Sequence, residues 1–214
     1  MAELTRDIVE TAFDRIGRMA RDRGIVCEIS VYGGSVIMLA SNARLSTGDV
    51  DAVVRSGRDE IHEMADLVGA EMGLPSRWFN EAVKRLAPPA GGRPPNLSWF
   101  DDYPRDNDGP TGLRVNLPSP AYLLAMKLFA NRLDDDHDKI ESDMSDIHHL
   151  MKITGINTYD RLLGLMQECY PDIPNIVTPK VSLRIDLKIK SALDGYAPDD
   201  ISSTWNAPAG PATR

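Results

Sequence analysis

The chain has 214 residues, 42% of them hydrophobic and 26% charged, with a formal net charge of −8 and a pI near 5.0. These totals suit one domain with an appendage or two small domains. They exclude wholesale disorder and a broad electrostatic grip on DNA or RNA, leaving only local basic patches for such contacts. The two cysteines, Cys27 and Cys169, give no disulfide framework and no zinc site, and no apolar run reaches the length of a membrane span. The charged segment Ala2 to Asp7 lacks a signal-peptide core, so a cytoplasmic protein without a membrane partner is expected.

In chain order, the apolar positions Leu4, Ile8, Val9, Ala12, Ile16 and Met19 recur at helical spacing, predicting a helix over 3–23 that ends at Gly24. A strand follows over Ile25 to Tyr32, then a short helix over Ser35 to Ser41 and a turn over 42–48. A second strand runs from Asp49 to Val54, and an amphipathic helix from Asp59 to Met72 ends at Gly73. Trp78 to Leu86 reads as a short helix before the Pro/Gly-rich loop Pro88 to Pro95, and Leu97 to Phe100 and Gly112 to Leu117 as strands. Three helices are then expected: Tyr122 to Leu133, Ser142 to Thr154 and Tyr159 to Tyr170, with the polar run Asp134 to Asp136 exposed. Val181, Leu183, Ile185, Leu187 and Ile189 alternate as in a strand, but an i, i+4 stripe and the helical surroundings favour a helix over 181–190. The last stretch has the composition of a loose tail. The expected fold class is α/β (α+β), with a small mixed sheet flanked by helices and a helical C-terminal part. The expected divisions are 1–117, 118–194 and a flexible tail over 195–214.

One constellation carries chemistry. The first strand runs into Gly33-Gly34-Ser35, and the next strand opens with Asp49-Val50-Asp51. Residues i and i+2 of a strand share a face, so the two carboxylates point together while Val50 turns into the core. Paired carboxylates suit a hard divalent cation. Two glycines opening a helix let its free N–H groups approach a phosphate. A metal pair of acids facing a phosphate cradle is the equipment of phosphoryl or nucleotidyl transfer.

With these residues on the page, the chain resembles the nucleotidyltransferase superfamily typified by DNA polymerase β. Further segments are similar to one bacterial branch, the AbiEii-type toxin nucleotidyltransferases and related uncharacterised proteins. They are Arg44 to Asp51 (Arg-Leu-Ser-Thr-Gly-Asp-Val-Asp), Trp78 to Lys84 (Trp-Phe-Asn-Glu-Ala-Val-Lys), the lysine helix Leu123 to Leu128 with Arg132, and Asp143-Met144-Ser145-Asp146-Ile147, read as a helix start. The resemblance implies a nucleotidyltransferase core and Mg²⁺ (or Mn²⁺) held by Asp49 and Asp51. It implies a nucleoside triphosphate seated by Gly33, Gly34, Ser35 and Arg44, and Lys127 on the phosphates. Asp143 or Asp146 would orient Lys127 or act as base. It also implies as acceptor a tRNA 3′ end, a protein side chain or a small molecule, and in a toxin role a cognate antitoxin. Two departures stand out: the strand Gly112 to Leu117 carries no third carboxylate, and an acidic insert, Leu133 to Ser142, separates Arg132 from Asp143.

Each feature also has a plainer explanation. Asp49 and Asp51 suit a solvent-facing edge strand, and Ser35 suits a helix N-cap. Lys127 suits a snorkelling lysine, and Asp143 and Asp146 suit acids near a helix N-terminus. Trp78 is expected to pack and Lys84 to be solvated. In a functional reading Trp78, Asn80 and Lys84 could instead border an acceptor or base pocket. His137, His148 and His149 are expected on the surface, since adjacent helix residues point about 100° apart. Lys180, Arg184, Lys188 and Lys190 are expected to form a solvated face. The alternative function is a nucleotide-binding or partner-binding module with reduced catalysis.

Overall fold

The computed structural model of the chain describes residues 3–41, 43–86, 95–106, 109–130, 137–171, 179–197 and 205. Contacts divide the chain into two units, one built on Met1–Arg85 with Leu97–Pro118 and the other on Leu86–Asn96 with Ser119–Trp205. The loop 87–94, Arg132, the run Asp134 to Asp136 and most of the tail 195–214 lie outside the described residues. So do the side chains of His137, Asp138 and Lys180.

In the first unit, β1 (Leu4–Thr5) leads into α1 (Arg6–Asp22), β2 (Cys27–Tyr32) and α2 (Gly33–Ala40). Then come β3 (Ser46–Thr47), β4 (Val50–Ser56), α3 (Arg58–Met72), β5 (Phe79–Asn80) and a 3₁₀ turn over Ala82–Arg85. β6 (Ser98–Tyr103) and β7 (Leu113–Leu117) complete it. Five strands form one mixed sheet in the order β5-β4-β2-β7-β6. β2 is antiparallel to β4 and parallel to β7; β5 is parallel to β4, and β6 antiparallel to β7.

The centre of this sheet is β2, with Cys27, Ile29, Ser30, Val31 and Tyr32 all buried. α1 and α3 touch each other and the sheet, forming a helical layer on one face. α1 contributes Val9, Ala12, Phe13, Ile16 and Ala20, and α3 contributes Ile61, Met64, Ala65 and Val68, each at helical spacing. Burying a side chain of this size contributes about 1.5–3 kcal/mol.

The local differences from expectation have physical causes. Leu4 belongs to β1 rather than to the first helix, and the expected turn 42–48 contains β3; β1 and β3 pair with each other in two-residue strands too short to leave a periodic trace. The expected helix over Trp78 to Leu86 is instead β5 followed by a 3₁₀ turn. There Trp78 is 3% exposed and donates its indole N–H to the Ala65 carbonyl at 3.0 Å, while Phe79 and Asn80 pair with β4. Tertiary pairing overrides the local helical pattern. Asp49 lies one residue before β4 and is exposed.

The second unit is helical: α4 (Pro120–Phe129), α5 (His137–Thr154), α6 (Tyr159–Cys169) and α7 (Pro179–Asp194). Ser119 caps α4 through its hydroxyl, with Pro120 in the first turn. α4 packs on α5, α6 and α7. α7 settles the ambiguous 181–190 segment as helix. Ile185, Ile189 and Ala192 are buried at i, i+4 and i+7, whereas Leu183 and Leu187 are exposed. α5 begins at His137, so Asp143 and Asp146 sit inside the helix rather than at its start, and the N-terminal capping explanation does not hold.

His149 is buried, not on the surface, because α5 is flanked by both α4 and α7. His148 meets the Ala192 carbonyl at 2.9 Å through Nε2. The basic stripe of α7 is not a uniformly solvated face either. Lys188 donates to the Ala130 carbonyl at 2.9 Å and Lys190 pairs with Asp186, leaving Arg184 exposed.

Candidate functional site

The first unit brings Asp51 and Arg44 to Gly33 and Gly34 at the start of α2, with Asp49 two residues before Asp51 in the chain. Tyr32, the last residue of β2, lies opposite Asp51 of β4 in the antiparallel register. The chain turns into α2 immediately afterwards, with Gly33 at φ +66°, a backbone conformation that glycine adopts without penalty. A Cβ on Gly33 would lie 2.7 Å from Asp51 Oδ2, and a Cβ on Gly34 would lie 2.6 Å from the Arg44 guanidinium carbon. A half-buried carboxylate and a guanidinium therefore rest directly on the two glycines that open the helix. The first-turn amides of a helix have no intrahelical acceptor and carry the positive end of its dipole.

The loop that carries Arg44 is anchored rather than loose. Arg44 Nε donates to the Ser46 carbonyl at 2.8 Å, Thr47 Oγ1 donates to the Asp49 carbonyl at 3.1 Å, and Ser46 pairs with Thr5 across β1 and β3. Ser35 is buried and its hydroxyl donates to the Tyr32 carbonyl at 2.7 Å. It is the third residue of α2, and the N-cap position belongs to Tyr32, so Ser35 is not the N-cap. Its side chain fastens the strand–helix turn.

Asn80 completes this side of the sheet. It pairs in register with Asp51, and its Nδ2 donates to Asp49 Oδ2 at 3.0 Å. The next residue, Glu81, accepts the Val54 N–H at 3.2 Å and pairs with Arg58 at 2.6 Å, with His62 at 3.2 Å and with Lys84. Burial alone would raise the Glu81 carboxyl. The hydrogen bonds from Lys84, the Val54 N–H and His62 outweigh it and hold the group at about 2. The sequence marked Asn80 and Lys84 only as neighbours of a possible pocket and passed over Glu81. A polar pair between an aromatic Trp-Phe and an Ala-Val is the signal that was there to use.

Two carboxylates, Asp49 and Asp51, form the acid set. Among the described residues no group of three or more His, Cys, Asp or Glu is arranged to hold a metal ion. Asp49 and Asp51 are oxygen donors of the kind Mg²⁺ takes, since that ion commonly uses one or two protein carboxylates and completes its shell with water and substrate phosphates.

The second unit brings together Lys127, Asp143 and Asp146. Lys127 of α4 reaches Asp143 Oδ1 at 2.6 Å and Asp146 Oδ2 at 2.8 Å on α5, with all three side chains largely buried. The i, i+3 spacing places both acids on one helix face, and the lysine bridges them. His149, one turn beyond Asp146, has its ring shifted down by burial, an effect opposed by Asp146 and reinforced by Lys152.

A surface depression of about 560 Å³ lies elsewhere on the first unit, lined by Asp7, Glu10, Asp14, Arg18 and Arg105 among others. Arg105 pairs with Glu10 at 2.7 Å and Arg18 with Asp14 at 2.9 Å, so its charges largely satisfy one another.

No known family profile and no curated protein matches the chain. Among solved structures, it is similar to an antigenic nucleotidyltransferase-like protein from Paracoccidioides brasiliensis. The identity is 15% and the TM-score 0.41, over 94% of this chain and 99% of that one. A likeness at that TM-score assigns neither family nor activity.

Proposed function

We propose that this chain is a nucleotidyltransferase that moves a nucleoside monophosphate from a nucleoside triphosphate to an acceptor hydroxyl and releases pyrophosphate. The observation that carries the reading is the seating of the Asp51 carboxylate on Gly33 and the Arg44 guanidinium on Gly34 at the mouth of α2. An acid there without a cation partner would oppose a triphosphate; with a divalent cation between them it becomes a ligand. Asp49 and Asp51 would hold Mg²⁺ or Mn²⁺, which when bound supplies charge neutralisation on the phosphates. The glycine backbone and the α2 amides seat the triphosphate, and Arg44 neutralises phosphate charge beside them. The acceptor oxygen bonds to the α-phosphorus as the bond to pyrophosphate breaks.

By the resemblance, Lys127 stabilises charge on the leaving phosphates and Asp143 or Asp146 supports it or takes the acceptor proton. Within the second unit, Asp143 and Asp146 give Lys127 one fixed geometry. We assign the catalytic core to 1–117 and the helical part to 118–194. The acceptor proposed is an RNA 3′ end or a protein side chain, and a toxin role with a cognate antitoxin is a further proposal on the same resemblance.

The test is Mg²⁺-dependent transfer of labelled nucleotide to total RNA or total protein. Wild type should transfer and Asp51→Ala should not; equal signal from both overturns the reading. A second reading, a nucleotide-binding module with reduced catalysis, is favoured by Asn116. It stands on β7, where no acid is present, and its amide donates to Glu28 at 2.9 Å. Calorimetry with each triphosphate separates the two: binding without turnover on any acceptor supports the module.

A further inference from the structure

We infer that Asn80 is the positioning residue for the Asp49 carboxylate, fixing which of its oxygens is offered to a cation; the inference rests on the metal-dependent reading of this site. Asp49 is exposed and lies just before β4, so nothing in the strand ladder fixes its side chain. Asn80 supplies that restraint from the neighbouring strand. Its Oδ1 accepts the Ala82 N–H at 2.9 Å, which assigns the amide orientation and commits Nδ2 as the donor facing Asp49. Nδ2 lies 3.0 Å from Asp49 Oδ2, so Oδ1 is the oxygen that Asn80 does not engage, and the same Asn80 pairs through its backbone with Asp51.

Asn80 is itself held from both directions. On one side the β5–β4 pairing fixes its backbone, and on the other Glu81 binds the Val54 N–H and ties Arg58 and Lys84 to the same turn. The dipeptide thus grips β4 at its beginning through Asn80 and three residues past Asp51 through Glu81. Hydrogen bonds of this kind to ligating carboxylates orient the ligand before the ion arrives, and their loss typically weakens metal binding 10- to 100-fold.

The experiment is Mn²⁺ titration of the intact protein, followed by electron paramagnetic resonance. It compares wild type, Asn80→Ala, Asp49→Ala, Asp51→Ala and the Asn80→Ala/Asp49→Ala double variant, with thermal unfolding of each in the absence of metal. Asn80→Ala should bind Mn²⁺ at least about tenfold more weakly, while in the Asp49→Ala background the same change should have no further effect. Wild-type affinity in Asn80→Ala, or an equal loss in both backgrounds, overturns the inference. Asn80→Leu, close to asparagine in shape, carries the same test if the alanine variant does not fold. Failure of the underlying reading has a different signature: Asp51→Ala then binds Mn²⁺ as wild type does.

Discussion

At the residue scale, the two glycines of α2 are distinguishable by what a methyl group would strike. At Gly34 it would meet the far end of a flexible arginine, so Gly34→Ala should fold, with stability changed by less than about 1 kcal/mol, because alanine also favours the helix. The displaced guanidinium should lower triphosphate affinity, measured by calorimetry against a matched thermal melt. At Gly33 the added carbon meets the Asp51 carboxylate, and a left-handed backbone costs an L residue roughly 1–2 kcal/mol. Gly33→Ala should therefore lose both stability and transfer, and a Gly33→Ala protein with wild-type transfer would contradict the proposed seat. The glycine pair and the place of Asp51 on a strand were legible because both are local patterns, whereas Asp49 falls one residue before β4, outside the strand parity expected to align it with Asp51. The return of Arg44 onto Gly34 was not legible, since a guanidinium's reach is decided by the loop that β1 and β3 pin.

At the element scale, Glu81 does work that a longer β5 would otherwise do. β5 pairs with β4 only at Val50 and Asp51, and farther along the edge the Glu81 carboxylate takes the Val54 N–H. Its folded value is depressed from 4.5 to about 2. The stabilisation is therefore fully present above pH 4.5 and lost as pH falls toward 2. Glu81→Gln should flatten that acid limb and cost on the order of 2 kcal/mol at neutral pH, discounted for the exposed Arg58 and Lys84, as read by urea unfolding across pH. This is also where the sequence was least legible. A two-residue strand has no period, and the 3₁₀ turn after it imitates the end of a helix.

The tie between α4 and α5 makes a companion case. Lys127→Met leaves Asp143 and Asp146 without their shared lysine in a largely buried place, so it should destabilise by about 3–5 kcal/mol. Replacing all three residues with leucine or methionine should recover most of that stability. If Lys127 also serves the phosphates, the recovered triple variant stays inactive in the transfer assay; full activity would reduce Lys127 to a structural tie.

At the scale of the whole molecule, charge limits which acceptor the chain can hold and how. The balance of 24 Lys and Arg against 32 Asp and Glu gives the net −8. Several cations are already committed: Arg21 to Asp106, Arg105 to Glu10 and Asp101, Arg114 to Asp102, and Lys127 to its two acids. The sequence made this visible only as a total; which cations are spent emerges from pairings many residues apart, such as Arg21 with Asp106. Cations already paired within the protein release fewer counterions when it meets a polyanion. If RNA is the acceptor, the logarithm of its binding constant should fall with the logarithm of salt with a slope no steeper than about −3, corresponding to roughly four phosphate contacts on a single strand. Fluorescence anisotropy with labelled tRNA over a salt series measures it. A slope near −6 would require a concentrated basic surface and would shift the acceptor proposal toward a backbone-gripping mode. A shallow slope with retained transfer would mean that the acceptor is chosen at its reacting end, as the proposed seat at α2 requires, rather than along its length.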